Sequence, residues 1–223
     1  MLSTISFLKG VEVKHTITAL GFLFMAASPV AAASFTTFTN QVAFEAASGT
    51  LSSQNFNDVV GEPSFNGVDQ TFGDITLRND TAVGRGFIQQ PQFGDPFNID
   101  ASAYVSSIVS ASQNLVINIA FPIMAFGANF SDLNNNQIRS EFNVLGETIL
   151  APVQSGNMVT FFGFISDTEF DLIEIVGTSA AFSDDFGMDN LSYGSAAAVV
   201  PLPATGLLLL GALGALGLRR RRS

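Results

Sequence analysis

Three carboxylates near the end of the central region are the first side chains to consider for chemistry. Asp184, Asp185 and Asp189 lie within six residues of one another. Paired carboxylates hydrolyse glycosidic bonds when they lie about 5–10 Å apart across a cleft. Adjacent strand residues point to opposite faces, which separates Asp184 from Asp185, whereas Asp185 and Asp189 share a face about 13 Å apart. This spacing disfavours a catalytic pair, and we expect the protein not to be an enzyme.

Residue types that are missing after residue 33 exclude most other catalytic sites. The chain has no cysteine, and its single histidine, His15, and both lysines precede this region. Without imidazole or thiol, Ser-His-Asp and Cys-His catalysis cannot operate. Zinc and non-haem iron sites that need these ligands are excluded as well. Without lysine, a glycine-rich phosphate loop lacks its essential cation.

Asp132, Asn134 and Asn136 have the alternate spacing with which a calcium-binding EF-hand loop begins. Gln137 stands where that loop needs glycine, and Asn143 stands where it needs a bidentate glutamate. Both departures favour a polar hairpin turn over a calcium loop.

The region from residue 34 to residue 194 is strongly acidic. It contains three arginines, no lysine and eighteen acidic residues, which gives a formal net charge of −15. Such a charge disfavours nucleic acid and anionic lipid surfaces as partners. It fits cation binding or solubility in salty water, and we favour solubility. At about 160 residues, the region is long enough for one domain with its own core.

Residues 1–33 have the three parts of a secretory signal peptide. Lys9 and Lys14 are positively charged, and Ile17 to Met25 form an apolar stretch. Ala31 and Ala33 provide small residues for cleavage before Ser34 by signal peptidase. The sequence therefore predicts an exported protein.

Residues 195–199 form a short linker, and residues 200–223 form a second segment of three parts. Pro201 and Pro203 bar regular helix or sheet pairing and leave an extended stretch. The thirteen apolar residues from Gly206 to Leu218 span about 20 Å, which is short of the roughly 30 Å of a hydrocarbon core. Permanently charged arginines then stop translocation on the cytoplasmic side; they are Arg219, Arg220, Arg221 and Arg222.

This segment resembles the PEP-CTERM protein-sorting signal of Gram-negative bacteria in its VPLPA variant. The matching motif is Val200, Pro201, Leu202, Pro203 and Ala204. The resemblance implies an exosortase as processing enzyme, with only transient insertion into the inner membrane. Leu202 replaces the glutamate of the parent motif, which leaves the exosortase subtype open. Two alternatives remain, because residues 202–206 also fit the LPxTG motif of sortase substrates and the apolar stretch could be an uncleaved anchor.

Hydrophobic patterning predicts an all-β body with one short helix. Asn40 to Ser48 are typical of an amphipathic helix, with Thr39 or Asn40 as N-cap, Val42 on its apolar side and Gly49 as stop. Short strands separated by turn residues follow, which predicts an antiparallel, jelly-roll-like β-sandwich filled by phenylalanine. A signal-peptide helix and a C-terminal apolar helix would flank it. The predicted strands are 35–38, 51–56, 70–78, 86–89, 103–110, 114–121, 123–130, 138–145, 148–150, 157–165, 170–176 and 186–193.

Several motifs make this body similar to the β-sandwich domains that commonly precede the sorting signal. They are Phe-Thr-Asn-Gln-Val-Ala-Phe-Glu-Ala at 38–46, Asn-Phe-Asn-Asp at 55–58, Ala-Phe-Gly-Ala at 125–128, Phe-Phe-Gly-Phe at 161–164 and Phe-Gly-Met-Asp-Asn-Leu-Ser-Tyr at 186–193. The resemblance implies a sandwich like those of carbohydrate-binding modules or galactose-binding domains, without indicating a ligand.

In sandwich modules of this type, a structural calcium ion often ties the first loop to the last strand. The resemblance therefore implies Asp58 and Asp189 as calcium ligands, with Glu62 as a further carboxylate, since calcium takes about six to eight oxygen ligands. The alternative is that Asp58 stabilises a turn and that Asp189 bonds to its own strand end. No other cofactor is expected.

The predicted function is that of a non-catalytic structural or binding module, exported and then sorted to the cell surface or extracellular matrix. Exosortase, signal peptidase, the inner membrane and matrix exopolysaccharide are the expected partners, and nucleic acid is not. The alternative function is a calcium- or carbohydrate-binding adhesion module. Sugar sites usually stack rings on tryptophan or tyrosine, and residues 34–223 contain no tryptophan and only Tyr104 and Tyr193.

Overall fold

The computed structural model of the chain describes residues 32–81, 85–92, 94–135, 140–154, 158–179 and 181–197. The sorting segment and all but the last two residues of the predicted leader lie outside these ranges. Within them, no helix has the length and apolar character needed to cross a membrane. The described elements are β1 (Phe35–Phe38), α1 (Gln41–Ala47), β2 (Ser48–Gln54), β3 (Gln70–Phe72), β4 (Ile75–Asn79), β5 (Gly86–Gln89), β6 (Tyr104–Val109), β7 (Asn114–Ser131), β8 (Ser140–Val144), β9 (Glu147–Leu150), β10 (Val159–Gly177) and β11 (Asp184–Ala196).

The strands form two antiparallel layers, and the two longest strands, β7 and β10, belong to both. The first layer has the order β3-β4-β7-β10-β8-β9 and uses the first half of β7 with the second half of β10. The second layer has the order β1-β10-β7-β11-β6-β5 and uses the other halves. Strand β2 pairs with the end of β11, beyond β6.

Phenylalanine side chains fill the space between the layers, as the composition predicts. Phe142 of the first layer lies 5.1 Å from Phe162 and 6.0 Å from Phe164 of the second, measured between ring centroids. Both layers contribute to one continuous cluster of buried apolar residues. Apolar burial of this kind is the main force that holds two sheets together. The predicted all-β antiparallel sandwich with one short helix is thus confirmed.

Two predicted strand breaks are wrong. Pro122 was expected to end a strand, yet β7 continues through it. Pro122 is paired with no residue of β4 or β10, so its missing N–H leaves no gap in either ladder. Residues 166–169 were expected to form a turn, yet β10 continues there with a register shift between Ile165 and Phe170. Both irregularities lie where the strands pass from one layer to the other.

A third predicted strand, residues 70–78, is divided in two. Gly73, at a positive φ of 60°, and Asp74 form a tight turn between β3 and β4. Glycine adopts this left-handed conformation without the penalty that a Cβ imposes.

The short helix is confirmed, with a different buried face. The Asn40 side chain caps it by accepting a hydrogen bond from the Ala43 backbone N–H at 2.9 Å. Phe44 is fully buried against Phe38 and Phe161 in a small second core, whereas Val42 is 73% exposed. Gly49 does not stop the helix, since β2 begins directly at Ser48.

Candidate functional site

The three carboxylates predicted as calcium ligands occupy different surroundings. Asp58 is exposed in the loop after β2, and Glu62 is exposed and accepts a hydrogen bond from Gln89 Nε2 at 2.9 Å. Asp189 is fully buried within β11. Across the described ranges, no three acidic or histidine side chains form a group that could hold a metal ion. The structure therefore does not bring these three together, and calcium binding stays a prediction.

Asp189 is held by a network that sequence reasoning did not anticipate. Its Oδ1 accepts from the Asn190 backbone N–H at 2.7 Å, and its Oδ2 lies 3.1 Å from Ser102 Oγ. The same Ser102 hydroxyl bonds to Asp100, which also accepts from Asn190 Nδ2 at 3.0 Å. The bond to Asn190 joins neighbouring residues in the middle of β11, not at the strand end that the alternative to calcium binding names.

The network favours a protonated Asp189. Ser102 has one hydroxyl proton and contacts two carboxylates, so a protonated Asp189 can donate to Ser102 while Ser102 donates to Asp100. Burial raises the pKa of Asp189 to about 7, and the charge of Asp100 acts in the same direction. The hydrogen bonds that the Asn190 N–H and the Ser102 hydroxyl can donate to the ionised carboxylate offset part of that rise. Asp189 is thus a buried acid with a structural role.

The loop of residues 95–102 carries these partners and lies across β11. Asp95 accepts from the Tyr104 hydroxyl at 2.5 Å, and the Pro96 carbonyl accepts from Ser131 Oγ at 2.7 Å. A Cβ added to Gly187 would lie 2.3 Å from the Phe97 carbonyl oxygen, so the loop backbone touches the strand backbone directly. Glycine at position 187 is therefore required by close approach.

A second buried acid, Asp184, begins β11. Its Oδ2 accepts from the Asn134 backbone N–H at 2.7 Å and from Ser140 Oγ. Burial raises the pKa of Asp184 to about 6, and the negative charges of Asp132 and Asp185 raise it further. The hydrogen bonds from Ser140 and Asn134 act in the opposite direction and lower it. Asp132 and Asn134 have positive φ angles of 65° and 61° in a turn, as the polar-turn interpretation predicts.

Asp184 and Asp185 have different surroundings, as adjacent residues on opposite faces of a strand should. Asp184 is buried, whereas Asp185 is partly exposed and forms an ion pair with Arg85 at 3.7 Å. Asp189 has its own network four residues further along. Asp184, Asp185 and Asp189 therefore each have a different set of hydrogen-bond or ion-pair partners.

A groove of about 540 Å³ opens on the outer face of the first layer. Asn143, Thr148 and Glu174 lie side by side across strands β8, β9 and β10 in the sheet register. Leu145 and Leu172 expose 47% and 42% of their surface there. The remaining lining residues are Gly146, Phe170 and Asp171. Hydrogen-bonding and apolar groups thus alternate on an accessible surface.

A smaller cavity of about 340 Å³ lies where the folded body begins and ends. Ser34 and Asp167 line one side, and Ala196 and Ala197 line another. The other lining residues are Thr36, Phe38, Ala47, Met124, Ile165 and Ser166. Asp167 is the only titratable side chain among these described lining residues.

Comparisons with known proteins identify no family for this chain. No family model matches the sequence, and no curated protein matches it significantly. Among solved structures, a family 29 carbohydrate-binding module mutant complexed with cellulohexaose is 10% identical over 65% of this chain and 93% of that one, with a TM-score of 0.37. Another family 29 module is 12% identical over 78% and 99%, with a TM-score of 0.28.

The catalytic unit of a thermostable GH87 alpha-1,3-glucanase from Streptomyces thermodiastaticus strain HF3-3 is also similar. It is 12% identical over 59% of this chain, with a TM-score of 0.36. The present chain matches only 28% of the length of that unit.

Proposed function

We propose that this chain is an exported, non-catalytic β-sandwich protein that is sorted and processed through its C-terminal segment. Its destination is the cell surface or the extracellular matrix. The leader of residues 1–33 directs export, and residues 200–223 hold the precursor transiently at the inner membrane. Signal peptidase and an exosortase are the processing enzymes.

The position of the folded body between the two processing points carries this proposal. Strand β1 begins at Phe35, one residue after the predicted cleavage before Ser34. Strand β11 ends at Ala196, four residues before the motif begins at Val200. Removal of either end would therefore leave intact every strand and every core residue that the structure describes.

Two observations support a non-catalytic role. Residues 34–223 contain no histidine, cysteine or lysine. The buried acids Asp184 and Asp189 use their oxygens in hydrogen bonds that fasten loops to β11.

Genetic removal of the processing enzymes tests the sorting proposal. In cells that lack the exosortase, we expect a precursor that keeps Arg219 to Arg222 and fractionates with the inner membrane. Cells that lack a sortase should process it normally. Thr205→Ala destroys the LPxTG pattern and leaves Val200 to Ala204 intact, so it should be processed like the wild type. Loss of processing in Thr205→Ala, with normal processing in a Pro201→Ala variant, which changes the VPLPA motif and leaves the LPxTG pattern intact, would favour the sortase alternative instead.

The groove on the first layer favours carbohydrate binding as a second candidate function. Asn143, Thr148 and Glu174 offer hydrogen-bond partners for sugar hydroxyls, and Leu172 offers an apolar surface. Binding of the protein to matrix polysaccharide should weaken in Asn143→Ala and Glu174→Gln. Ser52→Ala, an exposed change on β2 in the other layer, serves as control. Equal binding by all three variants would remove the groove from consideration.

A further inference from the structure

The start of β1 is fastened to β10 by two hydrogen bonds with Asp167. The Ser34 backbone N–H donates to Asp167 Oδ1 at 2.9 Å, and the Asp167 N–H donates to the Ser34 carbonyl at 3.1 Å. The first residue pair of the two strands is Phe35 with Ser166, so this contact closes the end of their ladder.

This contact matters because β1 is a short strand at the edge of its layer. It has four residues, and β10 is its only strand partner among the described residues. The Asp167 carboxylate is exposed, and no arginine of the described ranges forms an ion pair with it. Besides the Ser34 N–H, the Thr168 hydroxyl donates to Asp167 Oδ1, at 3.1 Å.

Cleavage before Ser34 would change the chemistry of this contact. Hydrolysis breaks the bond between the Ala33 carbonyl carbon and the Ser34 nitrogen, and water supplies the carboxylate oxygen to Ala33 and the protons to the nitrogen. A neutral amide donor then becomes an α-ammonium group with one positive charge and three N–H donors. Charge-assisted hydrogen bonds are about twice as strong as neutral ones.

We propose that the Asp167 carboxylate is the binding site for the α-ammonium group of Ser34 that processing releases. This inference rests on the proposed export and cleavage before Ser34. The resulting ion pair lies in the wall of the 340 Å³ cavity that Ala196 and Ala197 also line. Removal of the leader would therefore strengthen the attachment of β1 beside Ala196 and Ala197, which line the same cavity.

The composition allows a direct measurement of this amine. Residues 34–223 contain no lysine, so the α-amino group of Ser34 is the only primary amine of the processed chain. The rate at which an amine-specific acylating reagent labels the protein then reports the pKa of that one group. The protein is purified after export from cells that contain both processing enzymes.

Asp167→Asn is the test variant, and Asp171→Asn, an exposed carboxylate on the same strand, is the control. At pH 7.5 we expect the wild type and Asp171→Asn to be labelled about fourfold more slowly than Asp167→Asn, which corresponds to an α-amino pKa raised by about 0.7 above the usual 7.7–8.0. Salt at about 1 M should reduce this difference, since it screens exposed charges beyond about 3 Å. Asp167→Glu, which keeps the carboxylate, should be labelled more slowly than Asp167→Asn.

Equal labelling rates for the wild type and Asp167→Asn, with both proteins folded by circular dichroism, would overturn the ion pair. Periodate treatment separates this outcome from failure of the proposed cleavage, since periodate oxidises an amino-terminal serine and leaves internal serines unchanged. A processed protein that resists periodate would show that its chain does not begin at Ser34. That result would overturn both the cleavage position and the ion pair.

Discussion

Replacing Asp189 by asparagine should remove much of the pH dependence of stability between about pH 4 and pH 7. Asparagine keeps the size of the side chain, its Oδ1 can still accept from the Asn190 N–H, and its Nδ2 can donate to Ser102. The substitution therefore preserves the network in the form that a protonated Asp189 would give it, and it removes the ionisable group.

The sign of the effect follows from the direction of the pKa shift. The carboxyl is protonated in the folded protein up to about pH 7, while in the unfolded chain it ionises near its usual pKa of 3.8. The folded state thus holds a proton that the unfolded state releases in this range. Its stabilising contribution is complete below about pH 4 and is lost as the pH rises through about 7.

The size of the effect follows from the same shift. A change from 3.8 to about 7 corresponds to about 4 kcal/mol, at about 1.4 kcal/mol per pKa unit. Burial raises the pKa of Asp184 to about 6. Ionisation of Asp184 therefore lowers the unfolding free energy by about a further 3 kcal/mol as the pH rises. Burial acts to raise the pKa of Asp100, but the hydrogen bonds from Asn190 and Ser102 outweigh burial, and the net effect is a lowered pKa. The contribution of Asp100 to the unfolding free energy is therefore lost below about pH 4, outside the range in which Asp184 and Asp189 act.

Urea unfolding at pH 4, 5.5, 7 and 8 measures the effect. We expect the wild type to lose unfolding free energy between pH 4 and pH 7, and Asp189→Asn to lose about 4 kcal/mol less over the same range. Asp184→Asn provides a second, independent reduction in the slope. Parallel pH profiles for the wild type and Asp189→Asn, or a wild type that gains stability across this range, would refute the reasoning.

Two further substitutions test the packing. Phe44→Ala should lower the unfolding free energy by about 3 kcal/mol, because Phe44 is fully buried beneath α1; Val42→Ala, at a position 73% exposed on the same helix, should change it little. Equal effects of the two in urea unfolding would contradict the observed helix face. Gly187→Ala should cost about 2 kcal/mol, because its Cβ would overlap the Phe97 carbonyl and push the 95–102 loop away. Ser52→Ala, an exposed change on β2, is the control and should change stability little. A neutral Gly187→Ala in thermal unfolding would show that the loop does not rest on β11.

Local sequence signals predicted those features of the fold that depend on neighbouring residues. The Asn40 cap needs only the N–H of Ala43, three residues away, and the strands need only short apolar patterns. Continuity at Pro122 was not predictable, because a proline that ends a strand and one that lies at a bend between layers produce the same local pattern. The difference depends on which strands pair on either side.

The surroundings of the acidic residues were predictable only in part. The opposite faces of Asp184 and Asp185 follow from the two-residue period of a strand. The partner of Asp189, Ser102, lies 87 residues away in sequence, and no local pattern indicates that contact. A signal for the loop itself was present, since Asp95 and Asp100 each bond to a backbone N–H two residues later, as aspartates in turns commonly do.

The intact mass of the protein recovered from its own cells tests the central claim most directly. The account predicts a chain that begins at Ser34 and has lost the arginine cluster, with any attached group visible as added mass. A protein that keeps Arg219 to Arg222 and stays in the inner membrane would contradict it.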